Sequence, residues 1–362
     1  MMRLINTAAL FLFAALLPAL LQAQATRKYS NEFLAIGIGA RAMAMGKAVV
    51  ASSKDVSGGY WNAAGLTEMN RDFQVGLMHS EYFAGIAKFD YAGFAMKTKS
   101  DGVLAFNYIR FGVDNIPNTI DLIDNNGNVN YDRITTFSAV DNAFLISYAM
   151  PSKIENLSIG GSAKIIYRKV GDFARAWGFG IDGAMRYKRN KWQFGAVLRD
   201  ASSTFNAWSY TLSERMVEVF TLTGNEIPQN SLEITLPRLI GGVAYQWDIK
   251  KFGIMPEFNF DMTTDGQRNT LIQGKPISID PYFGLELNYA KIVYVRGGMN
   301  NFQKIKAEVG DHKETTFQPN IGVGLSYRGF NLDYALTDLG DASAALYSNV
   351  FSLRVDINRT SK

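Results

Sequence analysis

Side chains that could do chemistry are scarce in this sequence. It has no cysteine and only two histidines, His79 and His312. Disulfides, thiolate catalysis and ordinary zinc sites are therefore excluded, and acid–base chemistry loses its usual residue. His79 shares the parity of Phe73, Val75 and Leu77, which points it toward lipid or an interface. His312 sits in a charged run from Glu308 to Glu314 without a nucleophile or base beside it. A hydrolase needs a nucleophile activated by a neighbouring base, and no such pairing is legible. Gly37-Ile38-Gly39 lacks the strand–loop–helix setting of a dinucleotide or phosphate loop. The chain reads as non-enzymatic, with no cofactor and no metal.

Three constellations remain. Arg41 lies among small residues, where a buried charge needs a partner; Glu257, Asp261 and Glu286 are the carboxylates in reach, and an anion site or gate is the alternative. Asp124 to Asp132 places oxygen ligands at alternate positions, as calcium loops do. Its glycine is misplaced for an EF-hand and the closing glutamate is missing, so an exposed turn explains it equally. Thr211 and Glu214 have capping-box spacing before Arg215–Phe220, whose Met216, Val217 and Phe220 share one helical face. That face either contacts a partner or seats the loop on a rim.

The elements that must position these residues are mostly strands. The chain has 362 residues, 33 glycines and 13% aromatics, a composition suited to strands and tight turns. Its net charge of +4 is dispersed and excludes a nucleic-acid footprint. Residues 1–25 read as a signal peptide: Arg3, an apolar core from Ala8 to Leu21, and Ala23-Gln24-Ala25 before the cleavage point. Residues 26–72 read as a plug, with small residues crowding Glu32–Leu66 in a pattern that is neither strand nor amphipathic helix.

From Phe73 to the end, residues 73–362, period-two alternation dominates. Ile321, Val323, Leu325 and Tyr327 alternate with Gly322, Gly324, Ser326 and Arg328, and Val243 alternates with Ala244 in the same way. Apolar faces ending in Tyr or Trp suit lipid-facing strands with aromatic girdles. Ser158, Ser162, Lys164, Arg168, Asp182, Arg186, Arg199 and Arg296 take the opposite, lumenal parity. The pattern predicts about fourteen strands of bilayer-crossing length. They lie near 73–83, 88–99, 102–111, 141–150, 157–169, 178–189, 191–201, 238–248, 251–264, 280–289, 292–300, 318–328, 330–338 and 348–358. Connections after even-numbered strands are short. Those after odd-numbered strands are mostly long: 112–140, 202–237, 265–279, 301–317 and 339–347. This sorting describes an all-β transmembrane antiparallel barrel with an N-terminal plug inside. The short link at 84–87 breaks the rule without explanation.

Several pieces of the plug resemble the N-terminal signature of the PorV/PorQ family, outer-membrane proteins of the Bacteroidetes built on the FadL-type barrel. They are Phe33-Leu34, Gly39-Ala40-Arg41-Ala42, Met45-Gly46-Lys47-Ala48 and Tyr60-Trp61-Asn62-Ala63-Ala64-Gly65-Leu66, and Ala63 stands where the wider group has proline. Asp114-Asn115-Ile116-Pro117-Asn118-Thr119 continues the resemblance. It implies a fourteen-stranded barrel in a Gram-negative, Bacteroidetes-like outer membrane, in contact with its lipid. It also implies a shuttle or adaptor of type IX secretion, engaging the translocon or the cargo signal domain through external loops. Ile116, Pro117, Asn118, Phe205, Trp208 and Tyr210 are the candidate contact residues in those loops. The alternative is a FadL-like transporter of hydrophobic small molecules. Small and charged lumenal residues tilt the expectation toward the adaptor.

Overall fold

The structure is a computed structural model and describes residues 30–83, 85–124, 127–306, 313–337, 339 and 347–358. The expected signal peptide and His312 lie outside the described residues. From Phe73 onward the chain is one antiparallel sheet. Its first seven segments are β1 (Phe73–Tyr82), β2 (Ala87–Lys97), β3 (Val103–Asn118), β4 (Thr135–Pro151), β5 (Leu157–Val170), β6 (Ala174–Arg189) and β7 (Trp192–Arg199). Next come β8 (Thr204–Tyr210), β9 (Ser231–Thr235), β10 (Arg238–Tyr245), β11 (Trp247–Ile249), β12 (Phe252–Thr263) and β13 (Ser278–Tyr289). The last are β14 (Val293–Lys306), β15 (Lys313–Tyr327), β16 (Phe330–Thr337) and β17 (Ser348–Ile357).

β1 pairs with both β2 and β17, so the sheet closes on itself. Closure lets neighbouring wall strands satisfy one another's backbone groups without water, which a membrane-spanning sheet requires. β7 and β8 lie end to end along β6, and β9, β10 and β11 share a second line, leaving fourteen wall positions. The fold is a transmembrane fourteen-stranded barrel, as the alternation predicts.

Along β15, Ile321, Val323, Leu325 and Tyr327 are exposed on the outer face while Asn320, Gly322 and Gly324 are buried inside. Such a surface is unstable in water and matched to lipid. Trp192 meets Tyr245 with ring centroids 4.7 Å apart, and Tyr245 meets Trp247 at 4.6 Å. These rings mark the girdle at the short-turn end. Lys164, Asp182, Arg186, Arg199 and Arg296 are buried in the lumen, on the side their parity predicts.

The plug fills the barrel. Phe33, Ile38, Met43, Met45, Val49, Tyr60 and Trp61 pack with inward-facing Phe89, Tyr91, Ile109 and Leu145 in one cluster. Close approach at one point is set by glycine. Gly46 has φ of 59°, and a Cβ there would stand 2.6 Å from the Met299 backbone nitrogen. Across the same contact, a Cβ on Gly298 would stand 2.1 Å from the Met45 carbonyl carbon. Plug and wall touch backbone to backbone, which no larger residue permits.

The expected loops need correction. Ile116, Pro117 and Asn118 belong to β3, opposite Phe137, Thr136 and Thr135 of β4. Phe205, Trp208 and Tyr210 belong to β8, opposite residues of β6. Both walls continue past the apolar belt, where outward residues turn polar and the period-two signal fades. Residues 301–306 and 313–317 of the expected loop 301–317 likewise belong to β14 and β15, and the long connections include 119–134, 211–230 and 264–277 on one rim, opposite turns such as 190–191 and 328–329. The helix in the longest one runs Glu214–Leu222, and its cap is Ser213 rather than Thr211, accepting from Met216 N at 3.3 Å.

Candidate functional site

Every piece of the plug signature has a structural task. Gly39 N–H donates to Met78 Sδ at 2.9 Å, and Ala40 N–H donates to Ser352 Oγ at 2.7 Å. Trp61 Nε1 donates to the Ile38 carbonyl at 2.9 Å, and Tyr60 donates its hydroxyl hydrogen to the Leu34 carbonyl. Asn62 donates to the carbonyls of Val50 (2.8 Å) and Met185 (3.1 Å) and accepts from Ala64 N. Met45 is fully buried, and Gly65 lies against the Ser53 carbonyl. These contacts fold the plug and anchor it.

Charge pairs complete the anchoring. Arg41 Nε donates to Glu286 Oε2 at 2.8 Å, so the carboxylate that takes Arg41 is one of the three in reach. Arg296 holds the same Glu286 oxygen at 2.7 Å and Asp333 at 2.6 Å. Arg354 of β17 binds Asp55 of the plug. Burial pushes the Asp55 carboxyl up, but Arg354 and the Ser57 hydrogen bonds overcome this and hold it below the usual carboxylate range. Lys164 joins Asp182 and Asp200, and Arg199 lies over the Tyr60 ring at 4.6 Å. A latched plug, rather than a free gate, is what these pairs describe.

The residues expected to contact a partner divide between two faces. Phe205 is exposed on the outer wall. Trp208 faces inward, with Arg168 at 5.0 Å over its ring, and Tyr210 stacks on it at 6.1 Å. Asp124 folds its own loop, with Oδ1 accepting from Asn128 N at 2.9 Å.

What the sequence reading did not single out is a chamber of about 500 Å³ between the plug and the wall. Its plug side is Glu32, Ala35, Ile36, Lys47, Val50, Tyr60 and Trp61; its wall side includes Arg199, Arg238, Asp261, Asp280, Asn300 and Gln318. A smaller neck of about 40 Å³ shares Arg199, Arg238 and Thr263 with the chamber and reaches Leu236, Pro237 and Asp265. Asp261 is one of the lumenal carboxylates expected from the sequence, and inward parity on β13 could have flagged Asp280 as well. The cavity itself depends on how far the plug fills the lumen, which no local pattern reports.

The neck lies at a break in the wall. Asp200–Ser203 interrupts the line of β7 and β8, and Leu236-Pro237 interrupts that of β9 and β10. Proline cannot donate to a ladder, so this is a natural stop. β12 ends at Thr263, opposite Arg238, and β13 begins at Ser278, opposite Thr263. Among the described residues, β9 therefore pairs with β8 alone, and its other edge has no strand beside it. The result is a notch, framed by that edge and by residues 264–277. Leu232, Ile234 and Leu236 are exposed beside it.

No family model and no curated protein sequence matches the chain. Solved structures do. The CymD monoaromatic hydrocarbon channel superposes with a TM-score of 0.56 at 12% identity, covering 90% of this chain and 98% of CymD. The Ralstonia pickettii toluene transporter TbuX gives 0.53 at 14%, covering 89% and 99%. The Pseudomonas putida toluene transporter TodX gives 0.53 at 11%, covering 90% and 99%. At these identities the likeness is one of fold: the FadL-type outer-membrane barrel.

Proposed function

We propose that this chain is a non-enzymatic outer-membrane channel that admits small molecules into the chamber above its plug and releases them through the notch in its wall. One observation carries the reading: the chamber, its neck and the unpartnered edge of β9 are contiguous, through Arg238, Leu236 and Pro237. A lumen blocked by a latched plug has no straight path, so a side path is the available one. The similar structures are named as hydrocarbon channels, which favours this transporter reading over the adaptor. The test is solute entry into proteoliposomes. Native protein should raise toluene or octanoate entry above empty liposomes. Ala35→Trp, at a position bordering chamber and neck, should return it most of the way to that baseline with the barrel still folded. Entry no faster than in empty liposomes would overturn the proposal.

A second reading, an adaptor for secreted protein of the type IX kind, is favoured by one feature. Arg215 in the Glu214–Leu222 helix donates to the Ile123 carbonyl at 3.0 Å and lies 3.4 Å from Asp121, joining two long loops into one platform. Leu222, Ile227, Ile123 and Tyr131 are exposed there, as a binding face requires. The type IX assignment itself rests on the plug resemblance alone.

A further inference from the structure

The chamber's lining is ill suited to a plain hydrocarbon. Five cations, Lys47, Lys164, Arg199, Arg238 and Arg268, border the chamber and neck with six carboxylates, those of Glu32, Asp182, Asp200, Asp261, Asp265 and Asp280. The balance gives no net attraction for a fatty-acid anion, and an oil would displace water from a lining rich in charged groups. Asp261 and Asp280 stand directly opposite each other on β12 and β13. Like charges in that register repel, and Arg238, 2.9 Å from Asp261, offsets the repulsion. Several chamber residues also keep a buried polar atom without a partner: Asp261 Oδ1, Asp280 Oδ1, Arg199 Nε and Arg238 Nε. Carboxylates and guanidiniums thus line one side of a cavity whose plug side carries Tyr60 and Trp61 beside Glu32 and Lys47.

We infer that the chamber receives the head group of an amphiphile whose head is uncharged and rich in hydroxyls, while its apolar tail lies through the neck against Leu236, Ile234 and Leu232. A hydroxyl suits this lining because it donates to a carboxylate and accepts from a guanidinium at once. A sugar-like ring adds an apolar face for Tyr60 and Trp61. Deprived of the tail, such a head gains little from the neck; deprived of the head, a tail finds charges. Passage through the notch rests on the channel reading, but binding in the chamber does not.

The experiment compares probes with a common tail: octyl glucoside, octanoate and, as the bare apolar case, toluene. Binding is measured by equilibrium dialysis of labelled probe against full-length protein in an amphipathic polymer, with polymer alone subtracted. Octyl glucoside should bind saturably and about tenfold more tightly than octanoate, the difference expected of one or two net hydrogen bonds. Asp280→Asn, which removes one carboxylate from the chamber and makes its charge less negative, should shift the preference roughly fivefold toward octanoate. Gln318→Leu should weaken octyl glucoside alone, and both variants should keep heat-modifiable migration. Octanoate or toluene binding as tightly as octyl glucoside, or an unchanged preference in Asp280→Asn, would overturn the inference. Toluene flux without octyl glucoside binding would do so while leaving the channel standing. Octyl glucoside binding without any flux would support the inference and remove the channel.

Discussion

Glu286 of β13 accepts from Arg41 of the plug at 2.8 Å and from Arg296 of β14 at 2.7 Å, both through the same oxygen. One carboxylate thus fastens plug to wall and wall strand to wall strand. Neutralising it leaves two arginines close together in a buried setting. Removing one partner of a buried pair typically costs about 3–5 kcal/mol, and Arg41 is partly open to solvent, so the lower end applies. Glu286→Gln should therefore lower the melting temperature more than Arg41→Gln, because Arg41→Gln still leaves Glu286 paired with Arg296. Thermal melts in detergent check the order; equal shifts would mean that the Arg41 pair carries the whole effect.

Gly297 and Gly298 make a paired test of the plug contact. A Cβ on Gly298 would collide with the Met45 backbone at 2.1 Å, whereas one on Gly297 has its nearest neighbour 3.9 Å away. Gly298→Ala should disturb plug seating, exposing the buried Ser52 or Ser53 to labelling after cysteine substitution, and should destabilise by about 1–3 kcal/mol as overpacking does. Gly297→Ala should be silent in both measurements.

The alternation legible in the sequence located all fourteen wall positions, because an apolar outer face and a plug-packed inner face impose period two along the membrane-crossing part. Above the belt the rule lapses. Ile116-Pro117-Asn118 reads as a loop because outward polar residues are stable in water there, yet β4 still pairs with it. Phe205, Trp208 and Tyr210 were hidden by the Asp200–Ser203 interruption, which resets the parity. The Arg41–Glu286 pair was within reach of a charge-pairing argument. The notch was not, since a missing neighbour for β9 is a property of the closed sheet.

The outer wall predicts a sharp contrast between faces. Val323 on β15 is exposed outward, and Gln318 on the same strand borders the chamber. An arginine in the lipid belt costs roughly 2–4 kcal/mol near the midplane. Val323→Arg should reduce the folded fraction in vesicle refolding, and Gln318→Arg should not. Similar losses at both positions would reverse the assigned parity of β15.

Acid should loosen the loop that frames the notch. Burial raises the Asp265 carboxyl, but hydrogen bonding and charge from Arg268 outweigh it, so its pKa lies below the ordinary value in the folded protein. A depressed carboxylate contributes stability above its unfolded pKa, near 3.9, and loses it as pH falls through the folded value. Proteolysis within 264–277 should therefore be slow and level at neutral pH and rise below about pH 4. In Asp265→Asn the cleavage should be fast throughout, with no acid step.

The last prediction separates the channel from the adaptor. The Glu214–Leu222 helix and its flanks, 212–229, lie outside the wall ladders, and β8 pairs with β9 without them. Replacing 212–229 with a short glycine-serine linker should leave the barrel folded and heat-modifiable, since flexible connections change closure entropy only slowly with length. It removes Arg215, and with it the tie to Asp121 and the Ile123 carbonyl. The chamber and neck, built from Ala35, Arg238, Asp261 and Asp280, are untouched. A channel should then keep its rate of solute entry in proteoliposomes, while an adaptor should lose whatever protein co-purifies with the intact chain from outer membranes. Lost co-purification with unchanged entry would mean that the loops serve a partner and the chamber a solute. Retained co-purification with entry abolished would place the solute path through the loop platform and refute the route by way of the notch.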